Sequence, residues 1–232
     1  MDIIWDGLSK AFWLIVHRDP DVIDIVLLTL RVSGTAVLIS MLMGVPAGTA
    51  LAVSKFPGRG ILVSFVNAGM SIPPVVVGLI VMVLLWRTGP LGPLGIIFTP
   101  WAMISAQVLI TFPIVTGITM AAMAQVDPRL RQQLVGLGAS RVQLVWVMLQ
   151  EARLTMLTAV MAGFGRAISE VGAVMMVGGN IKGQTRVLTT ATVLESGKGE
   201  FGTAIALGMV LLVMAYLVTS VLTVLQQRGR LP

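Results

Sequence analysis

The sequence predicts an all-α, polytopic membrane protein with about five transmembrane helices, and three observations lead to this prediction. Hydrophobic residues make up 56% of the 232 residues and charged residues only 11%, whereas about a quarter of the residues in a soluble domain are charged. The mean hydropathy is +0.94. Several apolar runs are long enough to cross about 30 Å of hydrocarbon as helices. We therefore treat residues 1–232 as a single transmembrane domain.

The N-terminal part of the chain combines an amphipathic segment with the first span. Residues 1–20 mix apolar side chains, two tryptophans among them, with charged ones, which is typical of a helix at the membrane interface. The first predicted span covers residues 25–54. Within it, Gly44 and Gly48 form a small-xxx-small pair that predicts a close contact with another helix.

The second predicted span, residues 61–86, contains the adjacent prolines Pro73 and Pro74. Two missing backbone donors predict a kink or a break inside the bilayer. Either neighbouring helices satisfy the freed carbonyl groups, or the bend lines a solute pathway. The third predicted span covers residues 101–123.

Residues 127–153 form a polar, basic stretch between two apolar spans. Asp127 followed by Pro128 predicts a helix N-cap with proline at the first helical position, and Gly138 predicts the end of this short helix. Ser140 with Gln143 has the form of a capping box. A second helix is therefore expected from this point to about Gln150.

The first of these short helices carries a leucine stripe, because Leu130, Leu134 and Leu137 are spaced i, i+4 and i+7. The residues between them are polar: Arg129, Arg131, Gln132 and Gln133. One interpretation is a surface helix that packs its stripe on its own protein. The other is a stripe that docks in a groove of a partner, which the flanking spans favour.

The last two predicted spans cover residues 154–177 and 203–225, followed by a soluble tail. Arg166 and Glu170 lie inside the fourth span, where charged groups must face protein or water. Four residues apart, they can form an internal ion pair. Alternatively, Arg166 is a cation along an anion pathway, and Glu170 holds its orientation.

The sequence contains no signs of catalysis or of nucleotide binding. The Gly197–Lys198 pair lacks the other residues of a GxxxxGK[ST] loop, so we expect no ATP binding by this chain. His17 is the only histidine and cysteine is absent, which excludes a Ser/His/Asp grouping, disulfides and thiolate metal sites. The net charge of +6 comes from scattered cations without interleaved aromatic residues, so nucleic acid is not an expected partner. We expect a chain that is not an enzyme and has no cofactor.

Five crossings place the two termini on opposite sides of the membrane. The side that holds the central loop has eight Lys and Arg residues and the other side has six. The eight are Lys55, Arg59, Arg129, Arg131, Arg141, Arg153, Arg228 and Arg230, and the six are Lys10, Arg18, Arg87, Lys182, Arg186 and Lys198. The difference places the loop in the cytoplasm and the N-terminus outside.

The polar stretch resembles the cytoplasmic loop of ABC importer permeases, in which an EAA triplet precedes a glycine and a Leu-Pro pair closes the segment. The triplet corresponds to Gln132, Gln133 and Leu134, the glycine to Gly138, and the closing pair to Leu149 and Gln150. The glutamate, both alanines and the final proline are replaced here. A second stretch, GRAISEVGAVMMVGGNIKGQTRVLTTA at residues 165–191, is similar to the signature of permeases for molybdate, tungstate and sulfate.

This resemblance implies the type I ABC importer permease fold, with a cytoplasmic coupling helix over the leucine-striped segment. The family works as a homodimer in the bacterial or archaeal cytoplasmic membrane, with an ATPase dimer inside that binds the ATP and an oxyanion-binding protein outside. By the same resemblance, Pro73 and Pro74 lie along the translocation pathway. The chain is short and lacks an extra N-terminal span, which favours tungstate or molybdate over sulfate.

The segment between the last two spans, residues 178–202, is expected to be an external loop. Asn180, Lys182 and Arg186 lie in it, together with several threonines. These residues can meet a delivered oxyanion, contact a docked binding protein, or remain solvated surface charges.

A sulfate or thiosulfate permease of the same family is one alternative for the substrate. Two other classes of protein also stay open. An ion-coupled secondary transporter would need membrane-embedded carboxylates, and only Glu170 is available, without a visible inverted repeat. A non-transporting scaffold protein would not explain the paired prolines or the charges of the fourth span.

Overall fold

The computed structural model describes residues 2–17 and 19–228. Within them the secondary structure consists of ten α-helices and one short 3-10 turn, without strands, so the all-α prediction is confirmed. The helices are α1 (Asp2–Val16), α2 (Pro20–Val53), α3 (Arg59–Ser71), α4 (Pro74–Leu85), α5 (Pro100–Ala124), α6 (Pro128–Gly136), α7 (Arg141–Ile168), α8 (Gly172–Gly178), α9 (Leu188–Gly197) and α10 (Phe201–Arg228), and the 3-10 turn is Gly92–Leu94.

Four of these helices, α2, α5, α7 and α10, are each long and apolar enough to cross a membrane. The pair α3 and α4 passes the same test together, but the two helices are bent by 101° at the break between them. Pro73 and Pro74 occupy this break, as the missing donors predict. The prediction of a polytopic protein with about five spans is therefore confirmed.

Helices α2 and α5 form the centre of the fold and run in the same direction. Gly44 and Gly48 of α2 lie against α5, as the small-xxx-small spacing predicts. A Cβ at Gly48 would lie only 2.5 Å from the carbonyl oxygen of Thr116. Helix α5 continues through Pro113 without a break. The close approach lets the two backbones pack with little side-chain volume between them.

Helix α2 begins, and helix α10 ends, at a place that differs from the sequence-based boundary. Helix α2 starts at Pro20 and not near residue 25, because the Asp19 side chain accepts a hydrogen bond from the Val22 amide and proline occupies the first position. Helix α10 extends to Arg228, into the segment expected to be a soluble tail, and the Gln226 side chain donates to the Leu154 carbonyl on α7. Arg18 and residues 229–232, including Arg230, lie outside the described residues.

Helix α7 differs most from the sequence-based expectation. The capping box of Ser140 and Gln143 is present. The helix that it starts, however, does not end near Gln150 but continues as α7 to Ile168. The predicted span over residues 154–177 is therefore wrong as one helix, since the chain breaks after Ile168 and resumes as α8.

The predicted loop over residues 178–202 contains a helix, α9, which sequence reasoning missed. Its first residues, including Leu188 and Thr190, are fully buried. The Leu188 amide donates to the Thr29 hydroxyl on α2, and α9 packs on α10. The start of α9 is thus inside the helix bundle, whereas residues 181–184 and the end of α9 remain exposed.

The N-terminal helix α1 lies against the beginning of α10. Ala11 and Leu14 pack with Ala206, and the Lys10 ammonium donates to the Thr203 hydroxyl at 2.7 Å. The predicted helix over residues 1–20 therefore exists but ends at Val16.

Candidate functional site

The first candidate site is the elbow formed by α6 between α5 and α7. The Asp127 carboxylate accepts a hydrogen bond from the Arg129 amide at 2.8 Å, and Pro128 is the first residue of the helix. Gly138 has a φ of 78°, which a residue without a side chain adopts at low cost. Both ends of α6 lie where the sequence predicted them.

Part of the leucine stripe packs on its own protein. Leu130 and Leu134 lie against a buried cluster at the meeting point of α5 and α7. We call this the elbow cluster, and its buried members are Ala122, Met123, Val126, Leu144, Met148 and Ala152. Leu130 and Leu134 are thus partly buried by their own spans, which favours the first interpretation for these two residues, whereas docking of the loop on a partner stays a prediction.

Leu137, the third leucine of the stripe, remains open and is 83% exposed. Val135, Val142 and Trp146 are exposed near it in sequence, on α6 and on the first turns of α7. Exposed apolar groups of this size are typical of a contact surface. Sequence reasoning missed the last three because it considered only the leucine spacing. The polar residues Arg131, Gln132 and Gln133 are also exposed.

The second candidate site lies where two helix breaks meet. The α3–α4 break contains Pro73 and Pro74, and the α7–α8 break spans residues 169–171. Helices α4 and α8 pack directly on each other, since a Cβ at Gly172 would lie 2.7 Å from the Cγ2 atom of Val75. The structure therefore brings the paired prolines next to the segment that carries Glu170.

Glu170 does not form the predicted ion pair with Arg166. No ion pair joins the two side chains in the part of the chain that the structure describes. The Glu170 carboxylate, which is 6% exposed, instead accepts a hydrogen bond from the Ala173 amide at 2.9 Å. The helix break is the physical reason, because it turns Glu170 away from the α7 spacing and toward the first free amides of α8.

Side chains donate further hydrogen bonds to carbonyl groups at the α7–α8 break. The Gln107 amide on α5 donates to the Ala167 carbonyl at 3.0 Å. The Thr189 hydroxyl on α9 donates to the Glu170 carbonyl at 3.0 Å, and the Ser169 hydroxyl donates to the Gly165 carbonyl at 2.8 Å. Sequence reasoning missed Gln107 and Thr189 in this role, since they are distant in sequence from the break.

Arg166 is half-buried and has no hydrogen-bond or ion-pair partner for its guanidinium among the described residues. Its neighbours Gly165 and Ser169 are exposed, and a Cβ at Gly165 would meet no atom within 4 Å. A guanidinium inside a membrane span requires water, an anion or a partner group. The open side of α7 at Arg166 is therefore a place where an anion can be received.

The third candidate site is the segment between α8 and α9. Asn180 has a φ of 52°, and its carbonyl accepts a hydrogen bond from Arg186 at 3.4 Å. Lys182 forms an ion pair with Asp21 at 2.5 Å, in which both side chains are exposed. One exposed ion pair thus links this segment to the first turn of α2.

A cavity of about 410 Å³ lies beside this segment. It is lined by cations of both α2 and the segment, Arg31, Lys182 and Arg186, and by the carboxylates of Asp21 and Asp24. Sequence reasoning missed the two acids and Arg31, which are distant from the segment in sequence. The mixed charges do not form a purely cationic anion site.

The elbow and the α8–α9 segment lie at opposite ends of the molecule. The segment contacts Asp21 near the start of α2, whereas the elbow cluster packs with Ala52 and Val53 at its end. At about 1.5 Å per residue, the 34 residues of α2 separate them by roughly 50 Å. The two helix breaks lie between these ends.

Comparison with known sequences finds a protein family that matches most of the chain. The family is described as the inner membrane component of binding-protein-dependent transport systems, and it matches residues 44–230. The chain is 38% identical to the tungstate uptake system permease protein TupB of Peptoclostridium acidaminophilum, over 98% of this chain and 100% of that protein. It is 39% identical to a probable anion ABC transporter permease protein of Haloferax volcanii, over 83% of this chain and 85% of that one. The molybdenum transport system permease protein ModB of Escherichia coli K12 is 32% identical over 82% of this chain and 90% of its own length.

Comparison with solved structures supports the same fold. A bacterial ABC transporter that imports the acidic polysaccharide alginate superposes with a TM-score of 0.76, at 19% identity, over 94% of this chain and 83% of that chain. An amino acid ABC transporter superposes with a TM-score of 0.69, at 21% identity, over 94% and 98% of the two chains. The type I importer permease fold that the sequence resemblance implied is therefore confirmed.

Proposed function

Because the chain belongs to the family of binding-protein-dependent transport system inner membrane components, we propose that it is the permease subunit of an ATP-driven importer for a tetrahedral oxyanion, tungstate or molybdate. As a transport component it is not an enzyme. In this proposal ATP is bound and hydrolysed by a separate ATPase, and the permease itself carries no cofactor. It resides in the cytoplasmic membrane of a bacterium or archaeon, with its N-terminus outside and its C-terminus inside.

The observation that carries the proposal is the different packing of the three leucines of the stripe. Leu130 and Leu134 anchor the helix to the elbow cluster, whereas Leu137 projects away from it. A partner that pulls on Leu137 therefore moves α5 and α7 with it, since well-packed apolar contacts transmit displacement. This arrangement suits an ATPase on the α6 side, which is the cytoplasmic side in the proposed orientation.

The substrate class follows from the relatives and from the charges inside the spans. A protein 38% identical over nearly the whole chain is a tungstate uptake permease, and a more distant one transports molybdenum. Arg166 supplies a positive charge without a protein partner, which favours an anion over a cation or a neutral solute. We propose that Arg166 meets the oxyanion as it crosses, near the Pro73–Pro74 break.

The assembly in this proposal contains two copies of the chain, two ATPase subunits and an external binding protein. Helix α4 supports the second copy, because one of its faces packs on α8 and α5 while the other is apolar and open. The open face consists of Val76, Leu79, Ile80 and Val83. We propose that Asn180, Lys182 and Arg186 belong to the surface that meets the binding protein, at the end opposite to α6.

Reconstitution in lipid vesicles tests this function. The permease is combined with the candidate ATPase and binding protein. Uptake of tungstate, molybdate and sulfate is then measured with and without ATP in the compartment that holds the ATPase. We expect ATP-dependent uptake of tungstate or molybdate that disappears when the ATPase is inactivated. Uptake that persists with an inactive ATPase and follows an ion gradient would instead identify a secondary transporter.

A further inference from the structure

Side chains of two other helices, α5 and α9, support the α7–α8 break. Inside a hydrocarbon layer, every backbone group that a helix break releases must find a polar partner. Here the carbonyls of Ala167 and Glu170 accept from Gln107 on α5 and Thr189 on α9. The amide of Ala173, in the first turn of α8, donates to the Glu170 carboxylate. Side chains distant in sequence thus support the break.

The position of the break places it inside a span. Gln107 is the eighth residue of α5, which starts at Pro100, so it lies roughly 10 Å along that helix at about 1.5 Å per residue. Its contact with Ala167 fixes the end of α7 at the same depth. A carboxylate at this depth is costly, and Glu170 has no cationic partner in the described part of the chain.

Beyond the break, α8 is joined to α4 more tightly than to α7. A Cβ at Gly78 on α4 would lie 2.5 Å from the Cα atom of Ala173, so the two backbones are in direct contact. Helix α4 follows the Pro73–Pro74 break in the same way that α8 follows its own. The two short helices form one packed unit, which we call the α4–α8 unit, with a break at the start of each member, and both members also pack on α5.

We propose that Glu170 and Thr189 are positioning residues of transport, which hold the α4–α8 unit in register with α7 and α9 while the unit moves as one body. This inference rests on the proposed function. Glu170 has two contacts at the break, because its carboxylate accepts from the Ala173 amide of α8 and its carbonyl accepts from the Thr189 hydroxyl of α9. Without either bond, we expect the unit to shift even when α6 does not move.

Four variants test the proposal in the reconstituted transporter. Glu170→Ala removes the acceptor of the Ala173 amide, and Thr189→Val removes the donor to the Glu170 carbonyl. Glu170→Gln keeps an acceptor oxygen at the same place and is the conservative variant. The matched control is Thr192→Val on the same helix α9, since the Thr192 hydroxyl bonds only within that helix, to the Leu188 carbonyl.

The measured quantity is the number of ATP molecules hydrolysed per anion transported. We expect Glu170→Ala and Thr189→Val to raise this ratio about five-fold each, which corresponds to the loss of one hydrogen bond. Glu170→Gln and Thr192→Val retain the normal ratio. A merely structural role would lower ATP hydrolysis and transport together, through less folded protein, and would leave the ratio unchanged.

A crosslink tests the movement of the α4–α8 unit as one body. The chain has no cysteine, so the double variant Val75→Cys/Gly172→Cys contains the only thiol pair. A Cβ at Gly172 would lie 3.8 Å from the Val75 Cβ, which matches disulfide geometry. The Val75 substitution also removes the methyl group that would crowd the new side chain.

We expect the oxidised double variant to transport as fast as the same protein after reduction. A large loss of transport on oxidation, reversed by reductant, would show that α4 and α8 separate during the cycle and would overturn the proposal. So would a normal ATP-to-anion ratio in both Glu170→Ala and Thr189→Val. If the unmodified protein itself shows no ATP-driven uptake, the proposed function fails, and that outcome is seen before any variant is compared.

Discussion

Leu134 lies on α6 and Leu137 directly follows the last residue of that helix, and the two side chains face different environments. Leu134 packs against the elbow cluster, whereas Leu137 is 83% exposed. One residue ties α6 to the spans and the other offers an apolar contact to the outside. A single helix thereby connects an external surface to the bundle.

This difference predicts separable effects of the same substitution at the two positions. Leu137→Asp adds a charge to an exposed site, so we expect normal folding but loss of association with the ATPase. Leu134→Asp places a carboxylate against the elbow cluster, and we expect a lower melting temperature, by about 2–4 °C for each kcal/mol lost. Thermal unfolding in detergent and co-purification with the ATPase measure the two effects. Normal ATPase binding by a folded Leu137→Asp protein would contradict the docking surface.

A second prediction concerns the contact between α2 and α5. Gly48→Ala places a Cβ 2.5 Å from the Thr116 carbonyl oxygen, and we expect a loss of about 1–3 kcal/mol from overpacking. Gly34→Ala is the control on the same helix, because a Cβ there meets no atom within 4 Å. It is expected to be neutral or to gain roughly 0.5 kcal/mol from helix propensity. Equal melting temperatures of the two variants would contradict the close approach.

The features that the sequence predicts well depend on neighbouring residues alone. Charge-free runs define the spans, because each must cross the hydrocarbon by itself. The caps at Asp127 and at Ser140 with Gln143 were predictable for the same reason, since each cap bonds within three residues. Pro73 and Pro74 break their helix through covalent geometry and need no distant partner.

The features that the sequence does not predict depend on partners far along the chain. The sequence predicts one continuous span over residues 154–177. The bonds that support the α7–α8 break come from Gln107 and Thr189, which lie far from it along the chain. From the sequence Leu134 is equally suited to a partner groove or to its own cluster, because α5 and α7 contribute the cluster that it packs against. Long-range packing, and not local propensity, decides these cases.

A third prediction concerns the ion pair of Lys182 and Asp21. Both side chains are exposed, so Lys182→Gln is expected to change the stability by less than ~1 kcal/mol. Because we place Lys182 on the surface for the binding protein, we expect a several-fold higher binding-protein concentration for half-maximal ATP hydrolysis. The effect is expected to weaken at high salt. Lys198→Gln is the control, since Lys198 pairs within its own segment with Glu195. Identical responses of the two variants would argue against this docking surface.

The last prediction concerns Arg166, whose guanidinium lacks a partner among the described residues. If it meets the anion inside the span, Arg166→Gln is expected to slow oxyanion uptake by about 10-fold or more, which is the size of a lost charged hydrogen bond. Arg166→Lys retains the charge but not the forked donors, so an intermediate rate is expected. Arg153→Gln, an exposed arginine nearer the start of the same helix, serves as the control. Uptake rates are compared at equal ATPase loading, and melting temperatures verify that each variant is folded. If Arg166→Gln is folded and imports at the normal rate, the anion does not use this cation, and the pathway lies elsewhere than along the open side of α7.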